Sequence, residues 1–141
     1  MALPCVNKYD YSRGWQTLWP TDLTLIGVEH DMEVDDGLID ELLACPEPFC
    51  TWAYLLHQPS TGGVSHYAQR LGAKPPAGGD WIREGVEWCS FTGIGFCKIT
   101  AVARVRPLKE GTWQFVDCQV SKATDVRVHV HWPPVAHHHC E

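Results

Sequence analysis

The chain has 141 residues, 45% of them hydrophobic and 20% charged, with a formal net charge of −6. This is the composition of a globular domain long enough for a core; no apolar run approaches a membrane-spanning helix, and the acidic balance sets the chain against phosphate backbones, so neither membrane nor nucleic acid is expected as a partner. Seven cysteines, an odd number with no C-x-x-C pair, exclude a complete disulfide set and a thioredoxin-like motif, which with the absence of an apolar secretory run in MALPCVNKYDYSRGW predicts a cytoplasmic protein.

Residues 1–20 read as an irregular segment anchored by Tyr9, Tyr11, Trp15 and Trp19. DLTLIGVEH predicts a short strand. In VDDGLIDELLAC, Asp35 or Asp36 can cap a helix whose Leu38, Ile39, Leu42 and Leu43 share one face, and Pro46 and Pro48 end it. FCTWAYLL is short, apolar and aromatic, which predicts a buried strand. Loops rich in glycine and proline then bracket VSHYAQRL, read as one or two helical turns. From WIREGVEWCSF onward the pattern is a meander: FCKITAVARVRPL as a long strand with Ile99, Ala101, Ala103 and Val105 on one face, TWQFVDCQVS as the next, and VRVHVHW as the last. The expectation is a single α+β domain over residues 1–141, a curved antiparallel sheet packed with one main α-helix, ending in a tail over 133–141.

Five of the eight histidines fall between Asp125 and Glu141. Strand alternation turns Val126, Val128, Val130 and Trp132 to one face and Arg127, His129 and His131 to the other. Two imidazoles at i and i+2 on a strand can chelate Zn²⁺, with a third ligand from His137, His138, His139, Cys140, His66 or His30. Such a site would make the protein a zinc-dependent hydrolase or a zinc-stabilised domain, and Arg127 must then swing its head away. A strand with one wet face produces the same pattern with no ion and no cofactor.

His129-Val130-His131 also resembles the histidine pair of DNA-nicking relaxases, which implies a divalent metal and a nucleophilic tyrosine, here Tyr9 or Tyr11. Cys50, in PFCTWAYLL, resembles the nucleophile of papain-like proteases; the likeness implies His129 or His131 as its base, although Thr51 stands where that family has tryptophan. The acidic run EHDMEVDDGLIDE fails as a calcium loop, because Gly37 and Leu42 fall at the wrong positions. Gly93-Ile94-Gly95 lacks the rest of a dinucleotide fingerprint.

Seven tryptophans are the remaining signal. Trp52, Trp88, Trp113 and Trp132 can line a sheet that holds a small apolar or aromatic ligand, or a second copy in a homodimer. A binding or accessory protein of this kind is the leading expectation, ahead of the zinc protein and of a cysteine hydrolase at Cys50.

Overall fold

The computed structural model describes residues 8–57, 65–72, 80–108 and 116–138. Trp113, His139 and Cys140 lie outside the described residues. The α+β class holds, with three α-helices and a mixed sheet among the described residues.

Three predicted elements form. β1 (Leu25–Val28) is followed by α2 (Asp36–Ala44), whose cap is Asp35: its carboxylate accepts from the Leu38 N–H at 2.9 Å. This bond satisfies one of the amide donors that a helix start leaves open. Asp35→Ala is expected to lower unfolding free energy by about 1 kcal/mol, read from the urea midpoint. β2 (Phe49–His57) is the buried strand, with Phe49 to Tyr54 all inside.

The N-terminal segment is not irregular. It holds α1 (Lys8–Leu18), because Tyr11, Trp15 and Trp19 recur every four residues and so stack along one helical face. Their rings meet edge to face, with centroids 6.4 and 6.3 Å apart. VSHYAQRL is two short strands, β3 (Ser65–Tyr67) and β4 (Gln69–Arg70), rather than helical turns. β3 pairs with the end of β2, and β4 pairs with β6 (Phe91–Thr92). β5 is Trp88–Cys89.

The predicted meander does not form. β7 stops at Ile99 (Phe96–Ile99), and residues 101–103 turn as a 3₁₀ helix. Arg104 forces the bend: its guanidinium donates to the carbonyls of Ile99, Thr21 and Leu23 at 3.1, 2.6 and 2.7 Å. Val105 is left 56% exposed instead of lining the apolar face. The next predicted strand is α3 (Val116–Ala123). Val116 and Val120 fit a period of two as well as a period of four, and the buried set Val116, Val120 and Ala123 is the helical one.

β8 (Val128–Val135) completes the sheet, with strand order β1-β7-β2-β8-β5. It is not at an edge: it lies between β2 and β5, parallel to β2 and antiparallel to β5. The sheet is therefore mixed rather than antiparallel. Val128 and Val130 are buried on one face, as the alternation predicts. The tail begins later than residue 133, since the strand runs through Pro133 and Pro134 to Val135.

Gly93 and Gly95 serve a close approach to Tyr54. A Cβ at Gly93 would lie 2.2 Å from the Tyr54 hydroxyl oxygen, and the Gly95 N–H donates to that oxygen at 3.0 Å. No helix among the described residues is long and apolar enough to cross a membrane.

Candidate metal centre

Register brings one row of side chains together across the sheet. Trp88 on β5 faces His129 on β8, His129 faces Cys50 on β2, and Cys50 faces Lys98 on β7. Directly opposed residues share a face, so His129, Cys50 and Lys98 stand side by side, and His131 follows His129 two residues on. α2 covers this face with the fully buried Leu42, and its C-cap residue is Cys45, whose N–H donates to the Glu41 carbonyl. The proline-flanked turn from Cys45 to Cys50 carries one thiol above the sheet and the other within it.

The donor atoms of Cys45, Cys50 and His131 all lie within 4.8 Å of one another. Nδ1 of His129 is 3.5 Å from the Cys45 Sγ. A tetrahedral zinc ion with bonds of about 2.0–2.3 Å has donor-to-donor edges of about 3.3–3.8 Å. The His129–Cys45 distance already has that length, and the other two donors, on Cys50 and His131, lie within 4.8 Å of the Cys45 sulfur.

His131 is held in the ligating form. Its Nδ1 lies 3.3 Å from Glu41 Oε1, and a carboxylate accepts only, so Nδ1 carries the hydrogen. The lone pair is then on Nε2, which is sealed from solvent with no hydrogen-bond partner. The imidazole is stacked on Trp52, its side chain only 9% exposed. Burial lowers its pKa, which keeps the ring neutral. A carboxylate oriented on the far nitrogen is the usual support of a metal-bound histidine.

Charge points the same way. Burial, then the neighbouring Cys45, pushes the Cys50 thiol up to about 12, so without a cation it is protonated at neutral pH. Lys98 is buried, and its ammonium donates to the Cys45 carbonyl. None of the ion pairs among the described residues includes Lys98. Two thiolates and two neutral imidazoles around a divalent ion would make a neutral centre, so the Cys45 carbonyl remains the acceptor for the Lys98 ammonium. The Arg127 guanidinium lies 5.0 Å over the Trp88 ring.

The other sequence-derived site residues fall as follows. Cys50 is 0% exposed, which suits a ligand better than a nucleophile that must meet a substrate. His137 does not join His129 and His131; it meets Asp31 instead, at 3.1 Å. Tyr11 packs on α1 against the core. The tryptophans do not share one wall. Trp52 is a core residue stacked on Phe96. Trp88 tilts onto His129, while Trp132 takes the opposite face, donating to the Val86 carbonyl at 2.9 Å and packing on Tyr67. Cys45 was missed by sequence reading, although Cys45-x₄-Cys50 is itself a ligand spacing. No family model, curated protein or solved structure matches the chain.

A separate buried acid governs pH response. Desolvation, then the charge of Glu29, pushes the Asp117 carboxyl on α3 up to about 7. An unfolded aspartate titrates near 4. Between those values the native state holds the extra proton, so this contribution to stability is present in acid and lost as pH rises through about 7. Asp117→Asn is expected to raise stability at pH 8 by roughly 2 kcal/mol and to change little at pH 4. Urea unfolding of both proteins across that range reads the difference.

Proposed function

We propose that this is a zinc-stabilised accessory protein, its ion held by Cys45, Cys50, His129 and His131. The observation that carries the reading is His131, whose Nε2 is sealed without a hydrogen-bond partner and one of whose ring nitrogens lies within 4.8 Å of both thiol sulfurs. Four protein donors make a closed site, and closed sites are structural, whereas catalytic zinc keeps a position for water. The ion would tie the end of α2 to β8, parts of the chain 84 residues apart. Thiolate ligation belongs in a reducing compartment such as the cytoplasm. Native mass spectrometry of protein purified without chelator tests the reading: one zinc per chain is expected, lost from Cys50→Ser and from His131→Ala.

Self-association is a second reading, favoured by Leu23, Val102 and Val105, which stand exposed around the Arg104 anchor. The same spectrum reports it as a doubled mass. Ligand binding on a tryptophan wall has less support, because Trp52 is 1% exposed.

A further inference from the structure

We propose that Glu29, Asp31 and His137 form a second cation site, distinct from the sulfur centre, which takes a divalent ion of the Mn²⁺ class. One ligand atom from each lies within 4.8 Å of the other two. Glu29 and Asp31 come from the turn after β1. His137 comes from beyond β8 and is brought there by an isolated bridge to Met32. Backbone bonds hold the two segments together: Glu33 N–H donates to the Ala136 carbonyl at 3.0 Å, and His138 N–H to the Asp31 carbonyl at 2.7 Å.

The triad is more than an acidic patch. His137 is a buried imidazole, its side chain 4% exposed. Its Nδ1 faces the Leu55 carbonyl oxygen at 3.1 Å; a carbonyl only accepts, so Nδ1 bears the hydrogen. Nε2 therefore confronts Asp31 Oδ2 at 3.1 Å with either a second proton or a lone pair. Two acceptors that close require a positive centre between or beside them. Asp31 Oδ1 is sealed as well, with no hydrogen-bond partner among the described residues. Glu29 adds a second carboxylate, one oxygen of which lies within 4.8 Å of the ligand atoms of Asp31 and His137. One imidazolium offsets one carboxylate, whereas a divalent ion offsets both and gives the orphaned Asp31 oxygen a ligand.

The donor set selects the ion. Two carboxylates and one imidazole are harder than the thiolate pair of the sulfur centre, and they suit Mn²⁺ with water completing the shell. Bound there, the ion would fasten the chain beyond β8 to the turn that leads into α2.

The test uses the whole protein. Mn²⁺ is titrated in and the electron paramagnetic resonance signal of the free aqua ion is followed, with zinc content measured on the same samples. One Mn²⁺ per chain is expected, with affinity at least tenfold weaker in Asp31→Asn and in His137→Ala, and zinc content unchanged. Asp31→Asn keeps the side-chain shape, so it remains informative if His137→Ala does not fold. Absence of Mn²⁺ uptake by the wild type overturns the proposal and leaves a plain His137–Asp31 ion pair; so does uptake that Asp31→Asn leaves intact. Mn²⁺ uptake can be read whether or not zinc is found, which separates this outcome from the fate of the sulfur centre.

Discussion

Removing zinc with a strong chelator is expected to lower the melting temperature by about 8–15 °C. The figure follows from linkage. An ion that binds only the native state, at a free concentration about a thousandfold above its dissociation constant, adds about 4 kcal/mol, and a domain of this size shifts by about 2–4 °C per kcal/mol. Cys45→Ser, Cys50→Ser and His131→Ala are expected to melt near the chelated wild type and to ignore the chelator. That indifference identifies the metal, since a lost packing contact would leave chelator sensitivity intact. Glu41→Gln keeps all four donors but replaces the carboxylate that orients His131 with a neutral, weaker amide acceptor. Its zinc affinity is expected to fall by about 10–100-fold, measured by competition with a chromophoric chelator. A wild-type melting curve that the chelator leaves in place sinks the zinc reading.

Trp52→Ala is expected to leave the chain at the margin of folding, because truncating a buried tryptophan costs about 3–5 kcal/mol against a total stability of about 5–15 kcal/mol. Trp52 stacks on Phe96 at 5.8 Å and on His131 at 5.0 Å, and its indole N–H donates to the Pro133 carbonyl at 2.5 Å. It thus joins three strands and sets the plane of a metal-facing imidazole. Trp52→Phe keeps an aromatic face and loses the indole donor, so a cost of about 1–2 kcal/mol is expected, together with weaker zinc retention. Equilibrium urea unfolding of the three proteins in excess zinc gives both values. If Trp52→Ala were as stable as the wild type, Trp52 would have to be a surface group, contrary to its packing.

Local pattern carried several elements without help. The Asp35 cap is nearest-neighbour chemistry, and the structure reproduces it, whereas of the predicted apolar face Leu42 is buried and Leu43 stands 52% exposed. FCTWAYLL is a strand buried from Phe49 to Tyr54, a stretch whose short length and aromatic, apolar content favour that placement. The inward valines of β8 follow from alternation alone. Pattern failed where a short apolar run satisfied two periods, as at Val116–Val120, and where a single side chain redirected the backbone, as Arg104 does after Ile99. It also failed at α1, where rings four residues apart are a helical stripe that reads equally well as scattered anchors.

The sequence by itself determined that His129 and His131 share one strand face and are chemically able to bind an ion, and that Cys50 lies in a buried strand. Only the tertiary structure decided that they meet. Strand order and direction depend on which long-range surfaces exclude water best, and here β8 enters beside β2, in parallel, so that Cys50 stands opposite His129. Placed at an edge of an antiparallel meander, the same histidines would face solvent far from either thiol. The physical reason is that side-chain alternation is local, whereas strand pairing is settled by burial summed over the whole sheet.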